Sequence, residues 1–373
     1  MLCRVTNDRL ARTLTEVERA CAEATSVVDL CRSVQGAIAP VVPADRWCGF
    51  AVDPATLFAT NGYHDEGVDM DLVPRLLELE YGTEDANQVP ALARSPGGVA
   101  TLAEATGGDL SSSARWRDVI APSGLAHELR AVFRDSRGVW GTLVLLRGPD
   151  VLDFSLEEAS FVRTAAPTIA AGFRHVLVRQ HLSHGEDARE AGVLFLGGER
   201  LDIRTATNAA RSWLQALDDG GFEGALPTAV VTAARAARSR TSPAVVRART
   251  RTGRWVTVTA EVTDGEGAGP ADVGMVIQPS RPAEIAQIVG AARGLTSRET
   301  DVVLLIASGH TNQEIARALE VSPYTVADHL KRVFAKLEVA TRGELTSTLF
   351  QDYYLPRAVA GRSAGNDGWF LPN

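Results

Sequence analysis

Lysine is nearly missing from this 373-residue chain: Lys331 and Lys336 are the only two, and arginine supplies the rest of its 38 basic residues. Acidic residues outnumber them at 46, so the formal net charge is −8, unusual for a nucleic-acid binder if charge is read over the whole chain. Cysteine is scarce as well. Cys3, Cys21, Cys31 and Cys48 all fall in the first fifty residues without a C-x-x-C pair, so they read as reduced, buried structural thiols, with a metal site as the lesser alternative. No apolar run is long enough to span a bilayer and no signal peptide is evident, which places the chain in the cytoplasm, away from membranes. Catalytic signatures are missing too: there is no H-E-x-x-H, no G-x-S-x-G, and no glycine-rich phosphate loop followed by lysine. The segment 186–280 holds neither His nor Cys, which removes the usual haem ligand and the thiol of a flavin adduct. The expectation is a non-enzyme with no cofactor. His64 beside Asp65 and Glu66, and the His181/His184 pair, read as solvated surface groups rather than metal ligands. The abundance of Arg and Ala reflects a G- and C-rich genome and carries no functional weight.

What is present concentrates near the C-terminus. Thr296/Glu299, Thr311/Glu314 and Thr341/Glu344 each place a threonine three residues before a glutamate, the spacing of a capping box. Ser322 followed by Pro323 writes a fourth helix start, since proline at the first helical position loses no bond. Four starts within about fifty residues, with Gly309 as a stop, predict a four-helix domain. On the third helix Val326, Leu330, Val333 and Leu337 form a buried stripe, and Tyr324, Ala327, Asp328, Lys331 and Ala335 fall opposite. Both lysines lie on this helix. A short turn, Glu320 to Pro323, joins it to a helix burying Ile315, Ala316 and Leu319, the geometry of a helix-turn-helix. Periodicity alone leaves an ordinary helical bundle equally open.

The motif decides between them. Leu295-Thr296-x-Arg298-Glu299, Gly309-x-x-Asn312-x-Glu314-Ile315-Ala316, Ser322-x-x-Thr325-Val326-x-x-His329, Lys336-Leu337 and Arg342 together resemble the LuxR-type (FixJ/NarL-like) DNA-binding domain over residues 290–352. The resemblance implies that the third helix enters a major groove and that the fourth packs against its copy in a dimer. It marks Lys331 as a DNA contact, Thr325 and Val326 as the opening of the reading helix, and His329 as a packing residue. The candidate DNA-binding set is Ser322, Tyr324, Thr325, Ala327, Asp328, Lys331, Arg332 and Lys336. Ala327 stands where the family often has lysine, and Asp328 adds a negative charge; an aspartate can accept from a cytosine amino group and an alanine can touch a thymine methyl. Residues 291–350 carry seven basic and seven acidic side chains, so this domain is neutral and the acidity lies upstream. Screening confines fields to about 8–10 Å at ordinary salt, leaving distant acids unable to repel DNA. A neutral module binds weakly alone, and two copies on a two-fold site restore affinity, so a homodimer is expected.

Upstream, residues 10–180 open with a helical stretch, Leu14–Ile38, then a strand Trp47–Val52 stopped by Asp53-Pro54. They close with a hairpin, Glu128–Phe133 and Val139–Leu146 about Asp135–Gly138, and a long helix begun by Phe154-Ser155-x-x-Glu158. This arrangement resembles a GAF sensor domain. Residues 186–280 show strands at Gly192–Leu196, Leu201–Ile203, Arg254–Val262 and Asp272–Ile277, the first two joined at Gly197-Gly198, and a helix from Thr207 in which Asn208 can cap. The order is similar to a PAS domain. Phe161, Ala165, Ile169, Phe173 and Val176 on the connecting helix fit a core stripe and a dimer seam equally.

The reading is a multidomain chain: a GAF-like and a PAS-like α+β sensor domain (10–180 and 186–280), an all-α four-helix helix-turn-helix domain without a wing (288–354), and a flexible tail (357–373). It implies a cytoplasmic transcriptional regulator that binds double-stranded DNA as a homodimer, contacts RNA polymerase or blocks it, and responds to an unidentified small molecule. The alternative is an adaptor using the helical domain for protein contacts.

Overall fold

The structure is a computed structural model that describes residues 2–64, 72–82, 84–178, 190–217, 226–239, 243–263, 271–280, 284, 288 and 290–349. Asp65, Glu66, His181, His184 and the 357–373 tail lie outside the described residues. Two compact units are present, Met1–Pro279 and Ser280–Asn373.

The first unit opens with α1 (Leu2–Glu23) and α2 (Val27–Ile38), where a single helix over Leu14–Ile38 was expected. The chain breaks at Thr25-Ser26 because local side chains offer the backbone an alternative to continuing the helix. Ser26 accepts the Asp29 amide at 3.1 Å while the Asp29 carboxylate takes the Thr25 amide at 2.8 Å, which starts α2 afresh. The strands β1 (Arg46–Val52), β2 (Ala59–His64), β3 (Val99–Thr101), β4 (His127–Asp135) and β5 (Gly138–Arg147) form an antiparallel sheet in the order β2-β1-β5-β4-β3. Between β2 and β4 run the short helices α3 (Val73–Tyr81), α4 (Val89–Arg94) and α5 (Leu102–Ala105) and a π turn at Trp116–Ile120. These cover one face; α6 (Leu156–Val178), with α1 and α2, covers the other. Both faces of β4 and β5 are therefore buried, which is why β5 runs nearly continuous in apolar residues, while the buried Glu128 and Arg130 of β4 pair with each other.

α6 starts at a capping box: Glu158 donates its amide to Ser155 Oγ at 3.2 Å and its carboxylate takes the Ser155 amide at 2.7 Å. All five residues of its apolar stripe are buried inside the unit. Phe173 stacks on Phe133 with ring centroids 5.8 Å apart, and a Cβ at Gly141 would lie 2.6 Å from the Phe173 ring. The stripe is thus core, and the dimer-seam alternative is set aside.

A second sheet follows: β6 (Gly192–Gly197), β7 (Asp202–Ala206), β8 (Ala244–Arg249), β9 (Trp255–Val262) and β10 (Val273–Pro279), ordered β7-β6-β10-β9-β8. This repeats the order of the first sheet strand for strand. The helices α7 (Asn208–Leu217) and α8 (Thr228–Ser239) pack on one face, with Trp213 fully buried. α7 is capped by Thr207, whose Oγ1 accepts the Ala210 amide at 3.2 Å, so Asn208 is its first helical residue rather than its cap. The two α+β domains expected from the sequence are both present.

The sheets are joined within the unit. Asp53, 1% exposed at the end of β1, accepts the Arg247 amide at 3.1 Å and Arg247 Nη1 at 3.0 Å. Asn61 Nδ2 donates to the Arg249 carbonyl at 3.3 Å, and Arg249 Nη1 donates to the Leu177 carbonyl at the end of α6 at 2.7 Å. Phe58 lies in the core of the second domain.

Candidate nucleic-acid interface

The second unit holds α9 (Ser297–Ala307), α10 (Asn312–Ala318), α11 (Pro323–Leu337) and α12 (Arg342–Leu349). Their starts follow the sequence. Thr296 accepts the Glu299 amide at 3.2 Å while Glu299 takes the Thr296 amide at 2.8 Å. Thr311 and Glu314 repeat the exchange, and Ser322 accepts the Thr325 amide at 3.1 Å ahead of Pro323. At the last start Glu344 reaches one residue further back, to the Ala340 amide at 2.6 Å. A core of Val302, Ile306, Ile315, Val326, Val333 and Leu345 holds the helices together.

The turn between α10 and α11 is tight. The Val321 amide returns to the Ala316 carbonyl at 2.9 Å, and Glu320 takes a left-handed φ of 54°. Arg298 donates to the Leu319 carbonyl from α9, and Arg342 donates to the His310 carbonyl and to Asn312 Oδ1 at the start of α12. These two arginines clamp both ends of α10 and thereby fix the angle at which α11 is presented. Their motif positions are legible in the sequence; their acceptors, tens of residues away, are not.

One face of α11 is open. Tyr324 is 86% exposed, and Ser322, Ala327, Asp328, Lys331 and Arg332 are exposed with it. Thr325 is half-buried, its hydroxyl 2.9 Å from that of Ser322. Val326, Leu330 and Val333 turn inward, and His329 is half-buried on the flank.

Lys336 stands apart from the rest of the candidate set. Its Nζ lies 2.6 Å from Oε2 of Glu299, whose side chain is only 3% exposed. The lysine thus ties the end of α11 to the cap of α9. Burial pushes the Glu299 carboxyl up, but the hydrogen bond from Lys336 and those at Thr296 outweigh it and hold the group below its ordinary value. Glu314, hydrogen-bonded by the Thr311 amide and hydroxyl, is likewise held low. Chemically the face offers two cations, one carboxylate, hydroxyls and an aromatic ring on a helix bracketed by short turns, and it fits a groove rather than a small molecule.

Residues 293–349 match the family described as bacterial regulatory proteins, luxR family. Over 57 residues the chain is 44% identical to the response regulator protein VraR of Staphylococcus aureus, and equally to that of Staphylococcus epidermidis, which covers 15% of this chain and 27% of each relative. The chain therefore spans about a quarter of the length of the curated relatives it matches. Among solved structures, a VqmA–ligand–DNA complex of Vibrio cholera aligns at 18% identity over 43% of this chain and 81% of that one, with a TM-score of 0.21. The bacteriophytochrome RpBphP3 of R. palustris aligns at 10% identity over 73% and 62% of the two chains, with a TM-score of 0.28.

Proposed function

We propose, from a chain whose residues 293–349 form a LuxR-type helix-turn-helix domain, that the protein is a sequence-specific DNA-binding transcriptional regulator acting as a dimer. The observation that carries this reading is the open face of α11, where Lys331 and Arg332 are exposed and Tyr324, Ala327 and Asp328 stand beside them. In this reading α11 enters the major groove. Lys331 and Arg332 meet phosphates or base edges, Asp328 accepts from a cytosine amino group, and Ala327 lies against a thymine methyl. Ser322, Tyr324 and Thr325 meet the backbone where the helix begins. Lys336 contributes indirectly, by holding α11 in place through Glu299.

Because the domain carries as many acidic as basic residues, single-copy affinity is low, and two copies on an inverted repeat supply the rest. The GAF-like and PAS-like domains adjust this binding in response to a small molecule, and the bound dimer recruits RNA polymerase or blocks it. Among the described residues no helix is long and apolar enough to cross a membrane, in keeping with action on cytoplasmic DNA.

The test is selection of random double-stranded oligonucleotides by the full-length protein beside Lys331→Ala. An enriched inverted repeat is expected, bound more weakly by the variant, with the slope of log affinity against log salt smaller by about one. An unchanged slope removes Lys331 from the contacts. Failure to enrich any sequence, with full-length protein and with residues 280–373 alike, favours the adaptor reading.

A further inference from the structure

A cavity of about 90 Å³ lies on the α3 side of the first sheet. Its walls are mainly aliphatic, with Val73, Leu76, Val119, Ile120, Val144 and Leu146 among them. One part of the lining is polar and carries Glu80, Glu128 and Arg130. Two further lining residues, Thr228 and Thr232, come from α8 of the second domain. The cavity is therefore closed jointly by the two sensor domains of the first unit.

The charged part is already matched within the protein. Arg130 pairs with Glu80 at 2.5 Å and with Glu128 at 3.0 Å, and Arg115, buried behind them, pairs with Glu128 at 2.8 Å. Burial pushes the Glu128 carboxyl up, but Arg115 and Arg130 outweigh it and hold the group below its usual value, so it stays ionised. No buried guanidinium among the described lining groups is left over for a carboxylate or phosphate, since Arg130 and Arg115 behind it are committed to acids. Arg46, also on the wall, is solvent-exposed. Cys48 lines the cavity as well, and burial pushes its thiol up to about 12, which keeps it protonated and unsuited to covalent attachment.

Thr228 differs from these groups. It is 2% exposed, and its Oγ1 has no hydrogen-bond partner among the described residues; Thr232, one turn further along α8 and also buried, has the Tyr81 hydroxyl beside it. A buried hydroxyl without a partner is costly, and this one lies in the lining of an apolar cavity.

We propose that the cavity binds a small, uncharged, largely apolar molecule with one hydrogen-bonding oxygen, and that Thr228, supplied by the second domain, is the group that meets that oxygen. The proposal rests on the sensor role given above. An apolar cavity of about 150 Å³ accepts benzene; this one, at about 90 Å³, is smaller, so the ligand is a short chain of about four heavy atoms. Matched charges reject an anionic analogue, because its desolvation finds no free buried cation to compensate it. Since Thr228 opens α8 and the aliphatic walls belong to the first domain, the ligand bridges the two domains, and its arrival is felt by both.

The test uses three probes on the full-length protein without DNA: 1-propanol, 1-chloropropane and propionate, followed by calorimetry and by the fluorescence of Trp47, which lines the cavity. 1-Propanol is expected to bind most tightly, 1-chloropropane about tenfold more weakly, and propionate not measurably. Thr228→Val is expected to reduce 1-propanol to the affinity of 1-chloropropane and leave 1-chloropropane unchanged, while Thr228→Ser retains tight binding. If Thr228→Val does not fold, Thr228→Ser against Thr228→Ala makes the same comparison. Propionate binding as well as 1-propanol, an affinity indifferent to the Thr228 hydroxyl, or no binding by any probe each overturns the proposal. Oligonucleotide retention is scored in a separate arm, so a silent cavity with an intact DNA reader is distinguishable from loss of the reader.

Discussion

The two lysines of this chain share a helix and have different surroundings. Lys331 is exposed on the open face of α11, whereas Lys336 completes an ion pair with a buried carboxylate on α9. Their substitutions should therefore separate. Lys331→Ala is expected to lower DNA affinity at unchanged stability. Lys336→Ala leaves Glu299 buried without its cation and is expected to destabilise the second unit by about 1–3 kcal/mol in urea titrations, with any loss of DNA binding tracking the unfolded fraction. A pH dependence accompanies this. The Glu299 carboxyl is held below its ordinary 4.5 in the folded state, so its contribution is fully present above that value and is lost as pH falls through the folded value. Glu299→Gln should flatten the acid limb of the stability curve while lowering the plateau at neutral pH, and an unaltered acid limb would refute the assignment. The caps at Thr296 and Thr311 were legible in the sequence because both partners lie within one turn. The pairing of Lys336 was not, since Glu299 is thirty-seven residues away and only the packing of α9 on α11 joins them. Position on a reading helix suggested a phosphate contact; tertiary structure gave the side chain a partner inside the protein.

At the scale of elements, the same limit separates what periodicity reveals from what it leaves open. The stripe on α6 says that one face is buried and does not say against what. The answer comes from β4, β5 and the α1–α2 pair: Phe173 fills the space opposite Gly141 and stacks on Phe133. Phe173→Ala is accordingly expected to cost the first unit about 3–5 kcal/mol by leaving a cavity, and Phe173→Glu to unfold it. Loss of dimer by a folded Phe173→Glu protein in sedimentation would restore the seam. The strands found from sequence were those with long apolar runs or a turn signal, such as β4 and β5 about Asp135–Gly138. The elements missed were short or weakly patterned: β2 and β8 have six residues each and β3 has three, and α3, α4 and α5 together span a region of short helices and turns. The thiols of Cys21 and Cys31 were read as structural, and both are buried, with burial raising each well above the usual thiol value.

For the first unit as a whole, the informative feature is that two sheets of identical strand order are tied by charge as well as by apolar contact. Asp53 was legible in the sequence only as the residue that ends a strand with Pro54. In the structure its buried carboxylate holds Arg247 of the neighbouring sheet through both a backbone amide and the guanidinium, a pairing across nearly two hundred residues that no local pattern encodes. Removing one member of a buried pair costs more than the pair itself contributes, because the survivor stays desolvated. Arg247→Met preserves length and apolar packing while leaving Asp53 with the Arg247 amide and the Ala55 amide as partners. It is expected to destabilise the unit by about 1–3 kcal/mol. If this junction makes the two domains unfold together, hydrogen exchange in the wild-type protein shows β4–β5 and β9–β10 opening with one free energy, and the variant splits them into two. A ligand held between α3 and α8 acts on the same junction, so 1-propanol should narrow the split in Arg247→Met. Separate opening of the two sheets in the wild-type protein would mean that the sensors behave independently and that a signal entering one must reach the DNA reader without passing through the other.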